Sequence, residues 1–331
     1  MTKKTAGTLG LFALFLIIVH ACTNLDDIDL KDPRLGELGL VKFEGPGCSS
    51  STTMAVGSTV TMTVEPEEGA LPDDLSVRSS EPAVINAAAG ATANEVLLEA
   101  HQAGETHVEM LSAGDVYDWL GFDAEPAAAV LYTAQDAVFA GGAFILKIDE
   151  VHGACGEECP LIGSSFIDWS TSPTGALTLD ADVDDTAIFT AGATGSASII
   201  GDEPSERGSL VDHAVTIADP SAAGALDGHV LVYLPDETLL DPQPAPVELP
   251  VGSYVQIQLF ALAGGTEVPV SRFDAVWDIT GDAGTIQSYD LDTWEAPEGP
   301  VYEAMAAGTA TISADSGLLG SSAAFDITVT E

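Results

Sequence analysis

Basic residues are scarce in this chain. Its 331 residues include 9 Lys and Arg against 52 Asp and Glu, and the formal net charge is −43 at pH 7. Nucleic-acid binding depends on clustered Lys and Arg, which displace counterions from phosphate groups. The charge therefore excludes nucleic acid as a partner. We interpret the acidity as a solubility feature of the surface, with dedicated cation binding as the alternative.

Catalytic motifs are also missing. The sequence contains no Gly-x-Ser-x-Gly, His-Glu-x-x-His, P-loop or Gly-x-Gly-x-x-Gly pattern, and these are the patterns of hydrolytic, metal-dependent and nucleotide-dependent sites. Aromatic residues make up only 6% of the chain, so each core is expected to be thin. We predict a protein that is not an enzyme and has no resident cofactor.

Long apolar runs are confined to the N-terminus. Residues 9–19 form an apolar run behind Lys3 and Lys4, which is too short for a comfortable membrane span and is typical of an export signal. The following Val19-His20-Ala21-Cys22 resembles the lipobox of bacterial lipoproteins. The resemblance implies a cleaved signal peptide (1–21), a lipidated Cys22, and an exported protein held by lipid at the outer membrane or cell surface. Ordinary secretion and an uncleaved anchor are the alternatives.

Residues 22–37 are polar, acidic and without periodicity, so we predict an acidic tether there.

Three similar passages follow this tether. They share a glycine turn, an alternating strand, a central landmark residue and a closing strand that starts with glycine. The turns are Val56-Gly57-Ser58, Ala140-Gly141-Gly142 and Val251-Gly252-Ser253, the landmarks are Arg78, Trp169 and Trp277, and the closing glycines are Gly104, Gly195 and Gly308. The intervals from landmark to closing glycine are 26, 26 and 31 residues. This regularity predicts three copies of one fold.

Each copy has apolar residues at every second position, as in Val60-Met62-Val64, Phe144-Leu146-Ile148 and Val255-Ile257-Leu259. This period is typical of half-buried antiparallel strands, and short strands separated by turn residues indicate a β-sandwich. A length of 331 residues suits three domains of roughly 100 residues. We predict an all-β protein with domains at 38–121, 122–219 and 220–331.

These residues resemble the group 2 bacterial immunoglobulin-like domains. The third copy, with Ala306-Ala307-Gly308-Thr309-Ala310-Thr311-Ile312, is the most similar, whereas the first has Arg78 where the others have Trp. The resemblance covers most of residues 38–331. It implies tandem immunoglobulin-like sandwiches in an exported protein, and it leaves function open because this family serves as adhesins, spacers and stalks.

Three cysteines follow Cys22. Cys155 and Cys159 lie where the interval from glycine turn to landmark is 27 residues in the second copy against 21 in the first, which predicts a hairpin tip closed by a disulfide. A zinc or copper site with His152 and free thiols are the alternatives. Cys48 is left over, and its state is open.

Carboxylates at alternate positions, Asp180, Asp182 and Asp184, raise the alternative of a calcium site. The segment lacks the glycine and the distal acid of an EF-hand loop, so we interpret it as a solvated turn. Calcium is the one cofactor left open.

Trp119, Tyr289, Trp294 and Tyr302 are the aromatic residues that we expect to form any ligand platform. Trp169 and Trp277, at matching repeat positions, are expected in the cores.

We therefore predict a non-enzymatic, lipid-anchored surface rod that acts as an adhesin, stalk or envelope component. Its expected partners are the membrane, through the lipid, and a protein or glycan ligand. The alternative is a carbohydrate- or calcium-dependent recognition module on a distal domain.

Overall fold

The computed structural model describes residues 38–44, 52–66, 69–183, 185–203, 208–236, 238–240, 242–287 and 301–331. Within these residues the chain forms 26 strands and three short 3-10 turns, Gly156–Glu158, Pro220–Ala222 and Arg272–Asp274. The all-β prediction is confirmed. Two compact units divide the described chain: residues 38–136 with Phe144–Ile217, and Ala137–Ala143 with Ala218–Glu331.

The first eight strands form one sandwich. They are β1 (Leu38–Glu44), β2 (Thr53–Ala55), β3 (Thr59–Pro66), β4 (Ser76–Ser79), β5 (Ile85–Ala89), β6 (Glu95–Ala100), β7 (Gly104–Ser112) and β8 (Asp115–Glu125). One sheet has the order β1-β3-β6-β5 and the other β2-β8-β7-β4. The short strand β2 runs parallel to β8, while the pairs β1–β3, β3–β6, β5–β6, β4–β7 and β7–β8 are antiparallel.

Strand β8 extends beyond position 121, where the first domain was expected to end. Its alternation of buried residues continues through Phe122 and Ala124, because these side chains still face the core of the first sandwich. The expected boundary therefore falls inside a strand.

The next nine strands along the chain are β9 (Ala129–Ala134), β10 (Ala137–Phe139), β11 (Ala143–His152), β12 (Pro160–Leu161), β13 (Asp168–Ser172), β14 (Leu177–Val183), β15 (Thr186–Ala191), β16 (Gly195–Asp202) and β17 (Ser209–Ala218). In the second sandwich, one sheet has the order β12-β11-β15-β14, with β9 also paired to β11. In its other sheet, β17, β16 and β13 are neighbours in that order. Phe144, Leu146 and Phe189 are among its buried side chains.

The last nine strands form the third sandwich. They are β18 (Ala223–Tyr233), β19 (Val247–Pro250), β20 (Tyr254–Ala263), β21 (Thr266–Pro269), β22 (Val276–Gly281), β23 (Gly284–Gln287), β24 (Val301–Ala304), β25 (Gly308–Ser316) and β26 (Ser321–Thr330). One sheet has the order β18-β20-β24-β23, with β21 paired to β20, and the other β19-β26-β25-β22. As in the first sandwich, a short strand, β19, runs parallel to the last strand, β26.

All three alternating segments bury the predicted residues: Val60, Met62, Val64, Phe144, Leu146, Ile148, Val255, Ile257 and Leu259. Their glycine turns also match, since Gly57, Gly141 and Gly252 have φ values of 87°, 84° and 85°. A positive φ is inexpensive only for glycine. The two-sheet sandwiches confirm what the period and the turns predicted, and their immunoglobulin-like type is the one that the family resemblance implied.

Candidate functional site

The outer face of the first sandwich groups four chemically active side chains. In the sheet register Arg78 on β4 lies opposite Glu109 on β7, and Glu109 lies opposite Trp119 on β8. His107 is two residues from Glu109 on the same strand, and side chains two apart on a strand share a face. We call Arg78, His107, Glu109 and Trp119 the outer-face cluster.

Two direct contacts organise this cluster. The Arg78 Nε donates to the Glu109 carboxylate, with the Arg78 side chain 60% exposed and the Glu109 side chain 22% exposed. The rings of His107 and Trp119 lie with centroids 4.7 Å apart at 51°. The result is a partly exposed indole beside a guanidinium–carboxylate pair. Such a surface can stack on an apolar ring face and exchange hydrogen bonds with hydroxyl groups.

The register corrects the role expected for Arg78. Trp169 and Trp277 pair with the sixth residue after the closing glycine, Gly201 and Ala314, and in the first sandwich the sixth residue, Met110, pairs with Val77. Val77 is therefore the counterpart of the two tryptophans and packs against the core. Arg78 lies one position later and faces outward, because neighbouring residues on a strand point to opposite faces.

The two landmark tryptophans belong to the cores, as expected. Trp169 meets Phe189 edge-on with ring centroids 5.9 Å apart, and its Nε1 donates to Asp182 at 3.3 Å. Trp277 is partly buried against the core of the third sandwich.

Tyr302 is not a surface residue, which contradicts its expected place in a ligand platform. Its side chain is 0% exposed and is one of the largest in the third core, where burial raises the pKa of its hydroxyl. It lies on β24 between Val301 and Glu303. The outward Glu303 places its neighbour Tyr302 on the inner face, and this alternation was visible in the sequence.

Asp180 and Asp182 lie on strand β14 rather than in a turn, so the expected solvated turn is wrong for these two residues. The Asp180 carboxylate accepts from the Thr190 hydroxyl, and Asp182 accepts from Trp169. Burial raises the pKa of Asp182, and the Trp169 hydrogen bond opposes this shift. The two carboxylates bond to different neighbours.

Cys155 and Cys159 are joined by a disulfide whose Cα atoms are 5.5 Å apart. It closes the tip of the hairpin formed by β11 and β12. His152 is 4% exposed and its Nε2 lies 2.9 Å from Glu150. Within the described residues, no three His, Cys, Asp or Glu side chains are placed to hold a metal ion.

Cys22, Cys48, Asp184, Tyr289 and Trp294 lie outside the described residues, as do the expected signal peptide and tether. In the described part of the chain, no helix is long and apolar enough to cross a membrane.

Sequence reasoning did not single out His107, Glu109 or Asp149 as chemically notable. The signal for the first two was the alternation of polar residues along β7 opposite Trp119. Asp149 lies at a register shift in the pairing of β11 with β9. Desolvation raises its pKa to about 6, although the Thr133 hydroxyl donates to it at 2.7 Å.

No family model and no curated protein matches the chain. Solved structures similar to it include domains 4–9 of the surface layer protein SbsC, at 13% identity and a TM-score of 0.30 over 89% of this chain and 48% of that fragment. The chain thus spans about half of the SbsC fragment. The Escherichia coli adhesin FdeC has 15% identity and a TM-score of 0.25 over 84% of this chain and 94% of that one. Invasin, described as an integrin-binding protein, has 11% identity and a TM-score of 0.25 over 87% and 59%.

Proposed function

We propose that the protein is a non-enzymatic, lipid-anchored surface protein whose tandem immunoglobulin-like sandwiches form a spacer for adhesion or for the cell envelope. One observation carries the proposal: a segment of the second sandwich pairs by backbone hydrogen bonds with the first, as Ala55 N–H to Ile162 O at 2.9 Å shows. A spacer requires neighbouring domains that stay attached to each other in one arrangement, and backbone hydrogen bonds between the first and second sandwiches favour this. The chain's acidity suits an exposed surface.

The lipid anchor at Cys22 rests on the lipobox resemblance. We expect Cys22→Ser to move the protein from the membrane fraction into the soluble fraction, because the acyl chains supply the anchoring free energy. Cys48→Ser is the matched control and should stay with the membrane. Membrane retention of the Cys22→Ser protein would remove the anchor from the proposal.

The outer-face cluster favours a second function, recognition of a neutral glycan. The indole of Trp119 would stack on a sugar ring, while Arg78 and Glu109 would bond to its hydroxyl groups. In this proposal, recognition belongs to the first sandwich and not to a distal one.

A glycan array probed with the Cys22→Ser protein tests recognition. Trp119→Ala should abolish any signal, whereas Tyr254→Ala, which removes another exposed aromatic ring, should keep it. If the Cys22→Ser protein with Trp119 intact gave no signal on the array, the glycan function would be excluded.

Calcium also remains to be tested. If the protein binds calcium, EDTA should lower its melting temperature, because a cation bound to the folded state stabilises it. An unchanged melting temperature would exclude calcium binding.

A further inference from the structure

The glycine turn of the first sandwich is covered by a segment that begins in the second strand of the disulfide hairpin. Ile162 N–H donates to Thr53 O at 2.8 Å, and Ala55 N–H donates back to Ile162 O at 2.9 Å. Ser164 and Thr59 exchange two further backbone hydrogen bonds, of 3.0 and 3.1 Å. Residues 160–164, which we call the clamp segment, therefore bridge the free edge of β2 through Ile162 and the first residue of β3 through Ser164.

The side chains of the clamp segment fit this place. Ile162 is 4% exposed and belongs to the core cluster of the first sandwich. Gly163 has φ of +121°, and a Cβ there would lie 2.0 Å from Ser58 Oγ and 2.4 Å from Ser58 Cβ. Only glycine combines this backbone angle with this close approach. The fit is specific to these residues.

The linker between the first and second sandwiches is hydrogen-bonded next to the disulfide loop. Only residues 126–128 separate β8 from β9. Ala127 is 3% exposed, and Ala128 N–H donates to His152 O at 2.8 Å. His152 ends β11, and Gly153 N–H donates to Cys159 O at 2.8 Å. The disulfide loop, the linker and the clamp segment thus form one hydrogen-bonded junction.

The equivalent turns differ in what covers them. At the second turn, the backbone N–H of Ala143 donates to the Asp274 carboxylate at 2.9 Å. At the third turn, Pro250 occupies the position of Ala55, since Val56 and Val251 make the same bond to Glu125 and Thr330. Proline has no N–H for an added strand. Proline at position 250 therefore excludes strand addition of this kind at the third turn.

We propose that the hairpin closed by Cys155 and Cys159 is an interdomain clamp, which couples the stability of the first sandwich to that of the second. The extra length of the second copy supplies the clamp segment. Opening of the second sandwich withdraws this segment, so it exposes the edge of β2 and a gap in the first core. The coupling is a property of the junction and goes beyond the proposed spacer function.

Residue-resolved amide hydrogen exchange on the full chain tests the coupling. We expect Gly163→Ala to raise the exchange rates of Ala55 and Thr59 by about tenfold or more, because their acceptors are displaced. Gly175→Ala is the matched control: Gly175 also has a positive φ, +80°, but nothing lies within 4 Å. In this control, and at Ala304 in the third sandwich, the rates should not change.

A second variant keeps the test decisive if Gly163→Ala folds poorly. Phe189→Leu loosens the second core, where Phe189 is 0% exposed. We expect it to raise exchange at Ala55 and Thr59 in the wild-type background, and to add nothing further when Ile162 is replaced by Ala. Unchanged rates at Ala55 and Thr59 in Gly163→Ala, or in Phe189→Leu alone, would overturn the clamp.

Discussion

The first and third glycine turns share their sequence and their internal hydrogen bonds, but different parts of the chain cover them. Gly57 N–H donates to Ala100 O, and Gly252 N–H donates to Ala304 O, at 2.7 and 2.8 Å. Ser58 and Ser253 are both buried. The clamp segment covers the first turn, whereas a Cβ added at Gly252 would meet Pro235, from the loop after β18, at 3.6 Å.

This difference shows that a repeated motif can build a sandwich without fixing its junctions. The free edge of β2 is satisfied by a strand from the next sandwich. At the edge of β19, Pro250 removes the corresponding donor, which is one way in which proteins protect exposed sheet edges. The same turn is thus joined to an added segment in the first sandwich and lacks the corresponding backbone donor in the third.

Removing the apolar contact of the clamp should have the largest effect. Ile162→Ala leaves a cavity in the first core, and we expect the free energy of unfolding of the first sandwich to fall by about 3 kcal/mol. Urea unfolding followed by amide exchange measures it. Leu179→Ala, at a 41% exposed position, should change stability by about 0.5 kcal/mol or less. A loss below about 1 kcal/mol for Ile162→Ala would show that the clamp adds little.

Substitutions at Ala55 and Pro250, the equivalent edge positions of the first and third turns, test directly whether the two edges differ. Ala55→Pro removes the donor to Ile162, so we expect a loss of about 2 kcal/mol. Pro250→Ala should change stability by about 0.5 kcal/mol or less, because within the described residues β26 is the single strand that neighbours β19 in its sheet. Ala55→Val is the control that adds volume and keeps the N–H. If it destabilises as much as Ala55→Pro, packing rather than hydrogen bonding explains the loss.

The disulfide loop should contribute less. Replacing Cys155 and Cys159 by serine frees a loop of five residues, and chain entropy gives an expected loss of about 2 kcal/mol or less. Thermal unfolding with and without dithiothreitol measures this contribution. The wild-type protein under reducing conditions should match the double variant, and the variant should not respond to the reductant. A response of the variant would assign the effect to other cysteines.

The smallest expected effect is a pH-dependent stability difference at Asp149 in the second sandwich. The equivalent position of the third sandwich carries a residue that does not titrate. Asp149 has a pKa raised to about 6 by burial, and β20 carries Phe260 at the same distance from its turn. A raised carboxyl pKa stabilises the fold below the unfolded-state pKa of about 3.9, and this contribution is lost as pH rises through 6. We therefore expect Asp149→Asn to equal wild type near pH 4.

Near pH 7.5, Asp149→Asn should be more stable than wild type by about 1 kcal/mol, a value reduced for the partial exposure of the carboxyl. Urea midpoints at the two pH values measure it. The same difference at both pH values would contradict a titrating Asp149.

Local patterns predicted the strands and the cores, because alternation and glycine turns act over a few residues. The nine apolar residues that carry the period of two in β3, β11 and β20 are all buried, as the period required. The candidate site was harder to predict. The matched interval of 26 residues aligned Arg78 with Trp169, yet the register aligns Val77, and a displacement of one residue moves a side chain to the other face of a sheet.

By itself, the sequence determined an all-β chain with three sandwich cores and a disulfide-closed hairpin, since each follows from short-range spacing. Only the tertiary structure decided that Val77 rather than Arg78 packs against the core of the first sandwich, and that Ile162 enters the core of the preceding sandwich. These placements depend on strand pairing between distant segments, and the Ile162–Thr53 pair joins residues more than 100 positions apart. No local pattern encodes such a pair, because its free energy is gained only when both sandwiches have formed.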